Sequence, residues 1–209
     1  MGDETAGSAT LEIDYPDREL NRLTTAFRLF TVIPIAIILT LVSGPQTRGN
    51  DPHHVMVLAS GGLVFLPTAL MLLISRRYPR WWFDWNVELT KFSARVMAYL
   101  ALLRDEYPST EDEQAVHIVI PYPDAAHELN RWLPLVKWFL AIPHYVVLWF
   151  LGIAALCCVI IAWFAILSSG RYPRTLFDFV LGVSRWALRV VAYAFLLTTD
   201  RYPPFSLSA

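Results

Sequence analysis

Read for apolar and polar positions, the chain falls into two similar halves. Leu11-Glu12-Ile13-Asp14-Tyr15 alternates with a period of two, and so does the stretch from His117 to Tyr122. That pattern predicts a short strand before each Tyr-Pro-Asp turn, and two such strands can pair. Each is followed by two apolar runs, about residues 24–42 and 55–74 in the first half and about 133–151 and 153–168 in the second. At about 1.5 Å of rise per residue, runs of this length cross a hydrocarbon core of about 30 Å. Each half is therefore expected to hold a transmembrane helical hairpin, the second turning at Gly152. Pro34 and Pro143 occupy equivalent places inside the first run of each pair, where proline bends a helix.

A fourth element closes each half, over about residues 81–103 and 175–197. In the first, Asp84, Glu88, Lys91 and Arg95 recur at helical spacing and form one polar stripe. The second keeps Asp178, Arg185 and Arg189, with Gly182 in the place of Glu88. A charged side chain at a bilayer centre costs about 2.5–3.5 kcal/mol. Both helices are therefore expected to lie in the membrane interface as amphipathic elements.

The same landmarks recur in the same order. Tyr15-Pro-Asp, Leu20-Asn-Arg, Ile33-Pro34, Arg77-Tyr-Pro-Arg, Phe83-Asp84, Arg95-Val96 and Ala98-Tyr99 return as Tyr122-Pro-Asp, Leu129-Asn-Arg, Ile142-Pro143, Arg171-Tyr-Pro-Arg, Phe177-Asp178, Arg189-Val190 and Ala192-Tyr193. This order predicts a tandem duplication. The expected organisation is a flexible N-terminus (1–10), a first repeat (11–108), an acidic linker (109–116), a second repeat (117–206) and a short tail (207–209). The expected fold class is an all-α membrane protein with two tandem repeats. Each repeat is a transmembrane hairpin followed by an amphipathic interfacial helix, with a short strand before it.

Composition agrees with a membrane setting. Of 209 residues, 56% are hydrophobic and 17% charged, and the mean hydropathy is +0.43. A soluble domain sits near 45–50% apolar and about 25% charged. The net charge of −1 gives no reason to expect nucleic acid as a partner. No basic, cleavable leader precedes the first apolar run, so the spans are expected to stay in the mature protein. Of the 17 basic residues, only Arg48 falls in the loop between the first two runs. The positive-inside rule then predicts a multi-pass protein of a bacterial inner membrane with both termini cytoplasmic.

Chemistry-bearing motifs are absent: no nucleophile elbow, phosphate loop, zinc-binding helix or Cys-x-x-Cys is found. No catalytic, cofactor-binding or metal-binding residue is expected. Cys157 and Cys158 are adjacent and read as small apolar fillers; His53 and His54 read as a polar loop pair. His144, inside an apolar run, is either a hydrogen-bonded packing residue or an intramembrane site. The stripe residues Asp84, Lys91, Arg95, Asp178, Arg185 and Arg189 have three readings: a solvated face, docking ion pairs, or a site for lipid headgroups or anions. Tyr99 and Tyr193 join them as candidate interface contacts.

The run Arg171-Tyr-Pro-Arg-x-x-Phe-Asp-Phe, with Arg185-Trp-x-x-Arg-Val and the ending Asp200-Arg-Tyr-Pro-Pro-Phe-Ser-Leu, resembles the bacterial integral membrane proteins grouped as domain of unknown function 4389. The resemblance runs through both halves past residue 10 and implies no activity, cofactor or catalytic residue. The first half departs from it at Glu106-Tyr-Pro-Ser, so the second half's ending is the better candidate for a docking element. The expected function is a non-enzymatic accessory or scaffold subunit of a membrane complex, or a self-associating membrane organiser. Membrane lipids, other subunits and the chain itself are its expected partners. The alternative is an oligomeric channel or transporter for a small ion or lipid.

Overall fold

The computed structural model describes residues 9–16, 19–35, 37, 62–75, 77–109, 114–124, 129–130 and 132–208. The loop 43–54, with Arg48, His53 and His54, lies outside them, as do parts of the runs 24–42 and 55–74 and of the linker 109–116. In chain order the described elements are β1 (Thr10–Ile13), α1 (Arg22–Thr31), α2 (Gly62–Ser75), α3 (Arg80–Leu100), β2 (Val116–Val119), α4 (Leu133–Leu140), α5 (Ile142–Ser169) and α6 (Arg174–Ala194).

The two strands pair antiparallel, Thr10 opposite Val119 and Ile13 opposite Val116. Leu11, Ile13, Val116 and Ile118 turn inward while their neighbours face out, as the alternation requires.

The expectation of two tandem transmembrane hairpins is overturned. Among the described residues, only Leu133–Ser169 is long and apolar enough to cross a membrane. In the first half, α1 has 10 residues and buries a cation, Arg28, so its length of about 15 Å falls short of a bilayer core. In the second half the turn expected at Gly152 does not exist, because α5 runs unbroken through it. A lone glycine costs a helix only about 1 kcal/mol, too little to break a run of strong apolar helix formers. The fold is also not all-α, since the strands form a small sheet.

Pro143 acts at a helix start, whereas Pro67 lies inside α2. Pro143 lies in the first turn of α5, where its missing N–H is tolerated, and the discontinuity falls at Ala141 between α4 and α5. Val32 makes the matching break after α1, with nearly the same backbone angles (φ −79°, ψ −21°, against φ −80°, ψ −7°). Each of α3 and α6 stops shortly before a leucine in left-handed conformation, Leu102 at φ 63° and Leu197 at φ 58°. That conformation costs a non-glycine residue about 1–2 kcal/mol. Burial of both leucine side chains offsets it.

α6 packs along the inner side of α5, bringing Ala162 and Ile166 into the main core beside Tyr172 and Phe177. Ala141 meets Trp186, Val190 and Tyr193 at the other end. β1 packs on α6, β2 on α3, α1 on α5 and α2 on α4. These last four pairings each join an element of one half to an element of the other.

Candidate functional site

Two buried clamps occupy corresponding places. Arg28, on α1, pairs with Asp105, donates to the carbonyls of Tyr99 (2.9 Å) and Arg104 (3.0 Å), and lies 4.4 Å from the centre of the Tyr99 ring. Asp105 also accepts from the backbone N–H of Asn21 at 2.7 Å. Lys137, on α4, pairs with Asp200 at 2.6 Å, donates to the Thr199 carbonyl at 2.6 Å, and lies 5.2 Å from the Tyr193 ring centre. Asp200 in turn accepts from the Asn130 N–H at 2.6 Å. Burial pulls the Arg28 pKa down against the opposing pull of Asp105, and the guanidinium stays charged.

The two Tyr-Pro-Asp turns cross over. The Tyr15 hydroxyl donates to the Tyr172 carbonyl, and the Tyr122 hydroxyl to that of Tyr78. Arg174 lies over the Tyr15 ring and Arg80 over the Tyr122 ring, at 4.8 and 5.1 Å. Each tyrosine of one half thus reads the Arg-Tyr-Pro-Arg of the other. Burial raises Tyr78 to about 12 and raises Tyr172 as well. The Tyr78 hydroxyl donates to the Leu196 carbonyl at 3.1 Å, whereas the buried Tyr172 hydroxyl makes no hydrogen bond.

The residues singled out in the stripes separate into groups. Asp84 and Asp178 are exposed. Lys91 pairs with exposed Glu88 at 2.7 Å. The arginines instead hold main chain: Arg95 donates to the Ser109 carbonyl at 2.7 Å, Arg185 to that of Leu11 at 2.9 Å, and Arg189 to those of Ser206 and Ser208. Tyr99 shares a 2.8 Å hydrogen bond with Thr31. Tyr193 packs edge-on to Tyr202. His144 is fully buried, accepts from the Trp186 indole at 3.2 Å and stacks on Phe205 at 4.1 Å.

The second half's ending is therefore a docked tail. Leu207 packs so close to Gly182 that a Cβ there would lie 3.0 Å from both its side chain and its carbonyl. This explains the glycine where the first half has Glu88.

The outer side of α5 is continuously apolar. Val146, Trp149, Phe150, Ile153, Leu156, Ile160, Ile161 and Phe164 are all exposed. No Asp, Glu, Lys or Arg occurs from residue 138 to residue 170.

Arg28, Lys137 and Asp105 were not singled out in the sequence, and Asp200 stood there only as the start of the Asp200-Arg-Tyr-Pro-Pro-Phe ending. A signal did exist: each cation follows the Asn of Leu-Asn-Arg by seven positions, and each aspartate follows a Leu-Leu pair closely. Among the described residues no group of three His, Cys, Asp or Glu side chains gathers to hold a metal.

The arrangement defines a helical protein with a crossed two-strand sheet and one long, outwardly apolar helix. Residues 132–206 match the family described as Domain of unknown function (DUF4389). The match takes in α4, α5, α6 and the docked tail, but not the first half, where the resemblance was also expected. No curated protein and no solved structure matches the chain.

Proposed function

We propose that the chain is a membrane-associated, non-enzymatic protein that serves as an accessory or self-associating component of a bacterial inner membrane. The observation that carries this reading is the outer face of α5, a charge-free apolar surface on which Trp149, Phe150 and Phe164 are each more than 60% exposed. Such a face in water far exceeds the scattered apolar exposure ordinary for a soluble monomer, and lipid tails are the occupant that asks for no polar partner. The inner face of the same helix is occupied by α6, whose stripe arginines Arg185 and Arg189 donate to main-chain carbonyls. The channel alternative draws less support, because His144 is already engaged by Trp186 and Phe205.

Cys157 points outward on this face and Cys158 is only partly exposed. In native membranes, a lipid-soluble maleimide is expected to label Cys157 while a membrane-impermeant, water-soluble one does not, from either side. Labelling of Cys157 by the water-soluble reagent in intact or opened membranes would overturn the lipid assignment. For the accessory role, purification at native level in mild detergent is expected to yield an oligomer or a complex; a lone monomer counts against it.

A further inference from the structure

An apolar helix can lie across a bilayer or along it, and what is packed behind α5 distinguishes the two. From Val146 to Phe164 its exposed side chains take about half of the circumference. The other half is protein core: Ala141 meets Trp186, Val190 and Tyr193 near one end, and Ala162 and Ile166 lie beside Phe177 near the other. α6 therefore runs antiparallel along most of α5. Because half of α5 is core, its all-round apolar composition does not by itself make it a span.

Charge stands behind the middle of this helix pair. Arg185, midway along α6, donates to the Leu11 carbonyl and so ties β1 to that level. The outer face of the sheet is polar there: Glu12 is exposed, and Asp14 and His117 face each other at 3.6 Å with both side chains more than half exposed. Were α5 to cross a bilayer, α6 and the sheet would cross beside it, and these groups would stand near half depth. Each charge there costs about 2.5–3.5 kcal/mol. Laid along the surface, the same structure keeps them in water while the outer half of α5 enters hydrocarbon.

Two neighbours widen the seat. α1 lies beside α5, where the Trp163 indole donates to the Thr25 carbonyl at 3.1 Å, and it exposes Leu23, Phe27 and Phe30. α4 exposes Leu135, Trp138 and Phe139. Where the Leu20 N–H meets the Gly170 carbonyl, the flanking Arg22, Arg171 and Arg174 are exposed with Glu19, an excess of positive charge that suits anionic headgroups.

We infer that α5 lies flat in one leaflet of the bilayer, with α1 and α4 beside it and the sheet on the water side, so that residues 133–169 do not cross. This placement rests on the lipid-facing reading of α5 proposed above.

Arg171→Cys, Arg201→Cys and Glu12→Cys, introduced singly into the full chain, test it in sealed native membranes of either orientation with a membrane-impermeant maleimide. Peptide mass spectrometry separates each new thiol from Cys157 and Cys158. The first two mark opposite ends, since Arg171 follows α5 and Arg201 neighbours Asp200, the partner of Lys137 on α4. All three are expected to label from one and the same side, at least about tenfold faster than from the other, because the hydrocarbon core is the barrier. Labelling of the two ends from opposite sides would overturn the flat placement and leave the face in lipid; so would a Glu12→Cys thiol that labels from neither side. Labelling of Cys157 itself removes instead the lipid reading beneath the placement. Depth supplies a second measurement: a fluorophore on Val146→Cys, Ile153→Cys or Ile160→Cys, with Cys157→Ser and Cys158→Ser, quenched in vesicles by lipids carrying nitroxides at shallow or deep positions. The three labels are expected at one depth, whereas a crossing helix steps neighbouring labels by about 10 Å, and steps of that size overturn the inference.

Discussion

The clamp at Arg28 and the clamp at Lys137 share a carboxylate, a tyrosine face and a main-chain carbonyl, yet differ in the cation. Arg28 spreads its donors over two carbonyls and Asp105, while Lys137 concentrates on Asp200 and one carbonyl. Both cations are almost wholly buried, and Asp105 is less exposed than Asp200, at 11% against 21% of the side chain. The difference teaches that the position demands a buried cation bridging the first helix of a half to the end of its last helix. The geometry of the receiving carbonyls then decides which cation serves.

The largest expected effect comes from stranding either cation. Asp105→Ala or Asp200→Ala should each cost about 3–5 kcal/mol in denaturant unfolding of the detergent-solubilised chain. Replacing the whole second pair, Lys137→Met with Asp200→Leu, should restore most of that loss. If the double replacement is as damaging as the single one, the pair has a role beyond neutralising its own burial. Next come the exchanges. Arg28→Lys forfeits hydrogen bonds to main chain, and Lys137→Arg overfills a closed site, each at about 1–3 kcal/mol. Unfolding free energies near wild type for both would make the clamps interchangeable and erase the contrast.

The two tails sharpen the comparison at a smaller scale. Gly182→Ala puts a methyl against Leu207 and should cost about 1–2 kcal/mol and speed proteolysis at the C-terminus. Glu88→Ala, at an exposed pair in the first half, should change stability by less than about 0.5 kcal/mol. A pH-dependent effect concerns the two Arg-Tyr-Pro-Arg tyrosines. A phenol with a raised folded pKa holds its proton more tightly in the folded chain, so its contribution is complete below pH about 10 and is lost as pH climbs toward 12. Tyr78 should lose about 1 kcal/mol by pH 11, and Tyr78→Phe should flatten that alkaline limb while forfeiting the bond to Leu196. Tyr172→Phe removes a hydroxyl without a hydrogen bond and should be neutral or stabilising.

Much of the local structure was legible in the residues. The strands, the helices ending each half and the polar stripes follow from periodicity, and β1, β2, α3 and α6 fall within a few residues of the expected places. The places where the apolar runs break were not legible. Length and hydropathy do not say whether an apolar run breaks at Gly152 or at the residue before Ile142-Pro143, and an arginine inside the run 24–42 has no visible partner until Asp105 comes round from another element. The stripe arginines were open to three readings, a solvated face, docking ion pairs or a headgroup site, because main-chain carbonyls, their actual acceptors, leave no trace in a sequence.

The crossed tyrosines bear on the order of folding. Tyr15 cannot find the Tyr172 carbonyl, nor Arg185 the Leu11 carbonyl, until nearly the whole chain has been made. Contacts so distant along the chain close slowly, because loop entropy is spent before they are gained. During synthesis the first half must wait with β1 unpaired and its apolar face uncovered. The nascent chain thus has a long vulnerable interval, and the ribosome-bound first half is where a chaperone or the membrane itself has the most to protect.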